Sequence, residues 1–301
     1  MFTSTTTGRL AIWQDGVAPA IKTIAEAGFD CFDYSVFAMK PENPLFQDGW
    51  EDYVKTLKAT AEECGIVCNQ CHAPFPSYKP AEEADSPYNS EITDALIRTV
   101  RAAAMLGAKQ IIVHPISAFP FLTREQYWKD LNMDFYRSLA PYAKEAGIRI
   151  ALENMFHKDP NRNVILPSSC GDPRVFADWY DTLAADFDCF TCCLDIGHCA
   201  LVSIDPAFAI RTLGHDRLGA LHTHDNGFLV DDHMPPFTGK LDWNSITDAL
   251  AEIDYKGDLT LESDRLLGKF ATPDLYVPGI RLMSAIARHL ADEVDAKRGK
   301  Q

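Results

Sequence analysis

Cys192-Cys193-Leu194-Asp195-Ile196-Gly197-His198-Cys199-Ala200-Leu201 is the stretch on which the fold turns. The apolar run 190–194 has the length of a buried strand. It delivers a carboxylate, Asp195, and an imidazole follows at His198. Gly197 between them permits a sharp turn. Asp195 and His198 so placed can face one point beyond the strand end, as a divalent metal or a proton-transfer site requires. An aspartate there serves equally as a turn former or helix cap. Its weight therefore depends on how the other strands end.

Reading outward, the N-terminal side predicts strands over 8–13, 29–34, 66–72, 110–114 and 148–153. Helices are predicted between them over 17–27, 50–64, 92–106 and 123–146. These stop at Gly28, Gly65, Gly107 and Gly147. The segment 155–171 reads as a loop, and 173–185 as a helix capped by Asp172 with Pro173 in its first turn. Beyond the opening stretch come a short helix over 206–213, a strand over 218–222 and a long loop over 223–241. A helix over 243–253 capped by Asp242, a strand over 258–262 and a closing helix over 273–294 complete the chain. Eight strand–helix units without a linker predict an α/β fold, a single-domain (β/α)8 TIM barrel over residues 1–301. An open doubly wound sheet is the alternative, but no Gly-x-Gly-x-x-Gly follows a strand to support a dinucleotide site.

Composition narrows the function. The chain has 43 acidic against 28 basic residues and a formal net charge of −15. That balance argues against a nucleic-acid partner, whose phosphates need clustered Lys and Arg. Residues 1–8 carry no Lys or Arg and no apolar segment reaches membrane-spanning length, so a soluble cytoplasmic protein with no membrane partner is expected. The nine cysteines are expected to be free and mostly buried. Cys68/Cys71 and Cys189/Cys192 match Cys-x-x-Cys, but residues three apart on a strand point to opposite faces, so core packing is expected rather than a zinc ribbon.

The strand ends carry the chemistry. The third predicted strand ends in His72, the fourth in His114 and the fifth in Glu153. The sixth ends in Asp195, with His198 just after it, the seventh in His222 and the eighth in Glu262. In a parallel barrel all these ends meet on one face. Any one of them can be a turn residue; together they form a polar cluster that must be paired or metal-bound. Glu153, Asp195, His222 and Glu262 make an all-oxygen-and-nitrogen donor set suited to Mn2+, Co2+, Mg2+ or Zn2+ with positions left open. Such an ion polarises a sugar carbonyl and stabilises an enediolate, while a neighbouring glutamate removes and returns the proton on carbon. Trp13, Phe37, Phe75, Phe119 and Phe156 lie near strand ends and can stack on a sugar ring. Lys79, Arg124, Lys158, Arg162 and Lys240 are the cations available to a phosphate, and they are scattered.

Several motifs resemble the xylose isomerase-like TIM barrel superfamily. They are Ile111-Ile112-Val113-His114-Pro115, Ala151-Leu152-Glu153-Asn154, Leu194-Asp195-Ile196-Gly197-His198, His222-x-x-Asp225-Asn226, Asp231-Asp232-His233 with Gly239-Lys240-Leu241-Asp242-Trp243, and Leu261-Glu262. The superfamily includes sugar-phosphate isomerases and epimerases, ketose 3-epimerases, inosose dehydratases and endonuclease IV-type AP endonucleases. The ketose epimerase pattern implies Glu153, Asp195, His222 and Glu262 as metal ligands. It implies Glu153 and Glu262 as the acid–base pair on the two faces of the substrate carbon, and His198 as a contact to substrate oxygens. It also implies an arginine shortly after the acidic residue that follows the metal histidine, where Asn226-Gly227-Phe228 offers none. The endonuclease pattern adds His72, His114, His198, Asp231 and His233 as contacts to further metal or to substrate. The resemblance thus implies a metal-dependent isomerase or epimerase acting on a small-molecule carbohydrate, a sugar or sugar phosphate, as a homo-oligomer, while the net charge argues against a nucleic-acid partner. An inosose-type dehydratase using the same metal site is the alternative, and an AP endonuclease stands behind both because of the net charge.

Overall fold

The computed structural model describes residues 1–83, 85–117, 121–269 and 272–299. Its strands are β1 (Thr3–Thr6), β2 (Cys31–Ser35), β3 (Val67–His72), β4 (Gln110–Val113), β5 (Arg149–Glu153), a hairpin of β6 (Phe156–Lys158) and β7 (Ile165–Pro167), β8 (Phe190–Asp195), β9 (Leu218–His222) and β10 (Leu259–Leu261). All but the hairpin join one parallel eight-stranded sheet in the order β10-β1-β2-β3-β4-β5-β8-β9. The two ends of that order meet. Thr223 bridges Leu261 in parallel fashion. Its N–H donates to the Thr260 carbonyl at 2.9 Å, and the Glu262 N–H donates to the Thr223 carbonyl at 3.1 Å. The sheet is therefore a nearly closed (β/α)8 barrel, as the alternation predicts.

Helices α1 (Gly8–Trp13), α2 (Val17–Glu26), α3 (Trp50–Cys64), α4 (Pro87–Leu106), α5 (Glu125–Ala146), α6 (Pro173–Ala184), α7 (Ile196–Leu201), α8 (Pro206–Arg217), α9 (Trp243–Glu252) and α10 (Tyr276–Arg298) flank it. Their apolar faces and the outer faces of the strands make one continuous core. Gly107 and Gly147 end α4 and α5 at φ 86° and 67°, a left-handed conformation that favours glycine. No helix among the described residues is long and apolar enough to cross a membrane. A second, small apolar cluster of Ile112, Ala151, Cys193 and Ala220 comes from four adjacent strands. Each lies two residues before His114, Glu153, Asp195 or His222, so alternation turns it to the same inward side as the site.

The first strand is not where the sequence predicts it. Residues 8–13 are helix α1, and the strand is Thr3-Ser4-Thr5-Thr6. On a strand Leu10 and Ile12 would share a face; here Leu10 is buried and Ile12 is 73% exposed. The true strand has no apolar residue, yet all of it is buried. Its hydroxyls are satisfied within the barrel: Ser4 Oγ donates to Asn69 Oδ1 at 2.8 Å and Thr5 Oγ1 to the Leu261 carbonyl at 3.1 Å. The loop read over 155–171 contains the β6–β7 hairpin. Cys68 and Cys71 do not point to opposite faces of their strand. A register shift between Phe32 and Asp33 skips Asn69 in β3, and Cys68 and Cys71 Sγ come to 3.6 Å. Both thiols remain free and buried in the core, as expected.

Candidate metal centre

The C-terminal strand ends build the site. At β8, Asp195 serves as the N-cap of α7, its Oδ1 accepting the His198 N–H at 2.7 Å. The cap reading and the ligand reading are thus both met, since the same carboxylate lies 3.0 Å from His224 Nε2. Asn154, just past β5, clamps the two strand ends together. Its Oδ1 accepts the Asp195 N–H at 2.7 Å and its Nδ2 donates to the Asp195 carbonyl at 2.9 Å. Gly197 does not act by turning the chain. A Cβ there would lie 1.9 Å from His224 Cε1, so its role is to admit the imidazole.

Glu153, Asp195, His222 and Glu262, all buried, offer ligand atoms within 4.8 Å of one another. His222 Nδ1 lies 2.8 Å from Glu153 Oε1 and 3.4 Å from Glu262 Oε2. His72 joins Glu153 and His222 in a second grouping. His114 Nε2 approaches Glu153 Oε2 at 2.9 Å and His72 Nε2 at 3.1 Å. A third grouping joins His198, His224, Asp231 and His233. Asp195 stands between the first and the third, with His224 on it and His198 Nε2 at 3.7 Å.

Three imidazoles are oriented alike. Nδ1 of His72 faces the Ala73 carbonyl at 2.7 Å, that of His198 the Asn154 carbonyl at 2.9 Å and that of His233 the Glu262 carbonyl at 2.8 Å. In the neutral ring an Nδ1–H that donates to a carbonyl leaves Nε2 as the lone-pair atom facing the site, the support that metal-binding histidines commonly have. His222 Nε2, His224 Nδ1 and Asp231 Oδ1 are buried without a hydrogen-bond partner among the described residues. Buried carboxylates and orphaned donor atoms at one point are costly in an apolar surround, and a divalent cation offsets that cost. The residues fit such an ion: the donors are oxygen and nitrogen only, as suits Mn2+, Co2+, Mg2+ or Zn2+.

The two glutamates are driven apart. Burial opposes ionisation of Glu153, but His222 and His114 outweigh it and hold the carboxyl well below its ordinary range. Burial raises Glu262, and His222 and His233 do not cancel it. Burial likewise opposes the charge on Asp195, which His198 and His224 nevertheless lower. His222 is raised against burial by Cys193, Glu262 and Glu153, and His114 is lowered by burial.

Above these groups opens a cavity of about 500 Å³, which His72, His114, Glu153, His198, Asp231, His233 and Glu262 all line. Of the aromatic candidates, Phe37, Phe75 and Phe156 line it too. Phe75 stacks on His114 at 4.6 Å between centroids. Trp13 instead stacks on Tyr276 at 4.7 Å, and Phe119 lies outside the described residues. None of the five candidate cations lines this cavity. Lys79 sits over Tyr88, Arg124 over Tyr127 and Lys240 over Phe228, while Arg162 pairs with Asp159 and Lys158 is exposed on β6. The cations at the cavity are Arg9 and Arg265, which the sequence did not single out. His224 falls within the predicted loop over 223–241, and its spacing from His222, one residue between two histidines, is the signal that marks it.

A family model described as xylose isomerase-like TIM barrel matches residues 21–286. An uncharacterised protein of Sinorhizobium fredii, y4fM, is 23% identical over 273 residues, 83% of this chain and 82% of that relative. An uncharacterised Mycobacterium leprae protein, ML2432, is 30% identical over 181 residues, 56% of this chain and 60% of its own length. Among solved structures, a D-tagatose 3-epimerase-like protein superposes with a TM-score of 0.73 at 18% identity, covering 99% of both chains. An L-ribulose 3-epimerase gives 0.71 at 19% identity, covering 99% of this chain and 96% of that one. The IOLI protein with a binding zinc atom gives 0.68 at 16% identity, covering 99% of both. At these identities the structural likeness establishes the fold.

Proposed function

The chain belongs to the xylose isomerase-like TIM barrel family, and on that premise we propose that it is a divalent-metal-dependent isomerase or epimerase of a sugar or sugar phosphate. Glu153, Asp195, His222 and Glu262 would hold the ion. When bound, it supplies a Lewis acid that polarises the substrate carbonyl and its neighbouring hydroxyl.

The observation that carries the reading is the pair of buried glutamates that both approach His222 Nδ1, at 2.8 and 3.4 Å, with ionisation pushed in opposite directions. Two carboxyls at one point with separated pKa values are what a proton removed on one face and returned on the other requires. Glu153 accepts the proton from the substrate carbon on one face, and Glu262 returns one to the opposite face. His198 is oriented by its Nδ1 contact to the Asn154 carbonyl at 2.9 Å and lines the cavity, where Nε2 can meet a substrate oxygen. Phe37, Phe75 and Phe156 keep water from the sugar face. The solved L-ribulose 3-epimerase and D-tagatose 3-epimerase-like protein of the same fold support this choice of reaction class.

Turnover of a ketose panel in deuterated solvent tests it. Deuterium should enter the substrate carbon, and Glu153→Gln and Glu262→Gln should each lower kcat by about 10²–10⁴-fold. Normal turnover by both variants would remove the acid–base assignment. A second reading rests on the donors outside the first set. His72, His114, His198, Asp231 and His233 converge on the same cavity, as a hydrolytic centre with more than one ion would need. Cleavage of an abasic-site oligonucleotide, absent on the isomerase reading, would favour it.

A further inference from the structure

We infer that the substrate carries an anionic group, a phosphate or a carboxylate, at the end remote from the reacting carbon, and that Arg265 selects for it. The inference rests on the carbohydrate reading of the cavity and names the substrate class within it.

Arg265 and Arg9 stand on the same side of the cavity, past the C-terminal ends of β10 and β1, which are neighbours in the barrel. The two are not equivalent. Arg9 is neutralised by Asp264, whose Oδ2 accepts the Arg9 N–H at 3.1 Å and whose Oδ1 lies 3.4 Å from Arg9 Nε. Arg265 gives one N–H of Nη1 to the Asp231 carbonyl and makes no ion pair among the described residues. It is half-buried in the cavity wall, with the rest of its guanidinium fork uncommitted among the described residues. A chain of net charge −15 has many carboxylates, yet none of the described ones answers this arginine. Of the carboxylates that also line the cavity, Glu153, Glu262 and Asp231 belong to the donor groupings and Asp264 holds Arg9.

Guanidinium presents paired donors in a plane that matches carboxylate and phosphate oxygens. Tethered at Asp231, it is already oriented, so little side-chain freedom is lost on binding. Residues 223–241, the loop after β9, contain no arginine, and the tether places Arg265 against that loop from the adjoining strand end. A phosphorylated sugar and a sugar acid share the chemistry that this arrangement recognises.

The test is binding by titration calorimetry to the metal-loaded protein, with D-fructose, D-fructose 6-phosphate and D-fructuronate as probes. At least one anionic probe should bind about tenfold or more tightly than D-fructose. Arg265→Ala should abolish that preference, weakening the anionic probe by about tenfold more than D-fructose. Arg265→Lys, which keeps the charge, should retain part of the preference. Arg265→Gln, which keeps a donor for Asp231 without the charge, should lose it, separating charge from tether. The larger effect of phosphate or carboxylate names the group. Equal binding of all three probes overturns the inference, as does an Arg265→Ala effect common to neutral and anionic probes. Because the readout is affinity, it stands apart from whether proton transfer occurs: loss of turnover in the glutamate variants bears on the activity alone.

Discussion

Asp195 shows how much one side chain at a strand end can do. It caps α7 through the His198 N–H and holds His224 at 3.0 Å, so helix start and donor placement are one event. The packing behind it is unforgiving. In Gly197→Ala the new methyl would lie 1.9 Å from His224 Cε1, so the ring must move. We expect a loss of about 1–3 kcal/mol from such overpacking, together with lower metal uptake, read by urea unfolding and elemental analysis. Wild-type values for both would show that the position of His224 is unimportant. The Asp231–His233 pair, at 2.8 Å, gives a pH signature in metal-stripped protein. Burial opposes the imidazolium, but Asp231 and Glu262 raise His233 from 6.5 to about 10. A raised value means that the stabilisation is full below 6.5 and is lost as pH rises through about 10. Asp231 is lowered, so its share is present above 3.8 and lost on acidification. The melting temperature of stripped protein should therefore fall more steeply above pH 7 than that of the His233→Asn variant. Parallel curves would contradict the pairing.

At the scale of elements, β1 is the informative case. Ser4 Oγ donates to Asn69 Oδ1 at 2.8 Å, and Asn69 Nδ2 donates to Thr260 Oγ1 at 3.1 Å, a chain of bonds across the barrel. Ser4→Ala leaves Asn69 Oδ1 without its donor and should cost about 1–3 kcal/mol in urea unfolding; no change would mean the chain of bonds does not support the barrel. This strand escaped a reading based on apolar periodicity because its burial is paid in hydroxyl bonds, which leave no such period. Helix α3, an amphipathic segment closed by Gly65, falls on residues 50–64 as predicted. The donors Glu153, Asp195 and His222 were legible for a related reason: each closes an apolar strand, and parallel strands end on one face. Arg265 was not legible, because it follows Glu262-Ser263-Asp264 in an aperiodic loop and only folding sets it beside Asp231. The bulge at Asn69 that brings Cys68 to Cys71 has no sequence period either.

For the whole molecule, closure of the barrel turns residues distant in sequence into one donor cluster, and the fold bears the cost of burying it. An ion bound only by the folded state stabilises by mass action, about 2.7 kcal/mol at 100 times its dissociation constant. Chelation should therefore lower the melting temperature, and added Mn2+, Co2+ or Zn2+ should restore it; an unchanged transition would contradict a bound ion. The most direct test is the metal content of the purified chain after incubation with these ions, with Asp195→Asn and His222→Asn measured beside the wild type. The account predicts at least one equivalent of divalent metal in the wild type and a sharp loss in both variants. A wild-type chain that takes up none, or variants that retain as much, would contradict it.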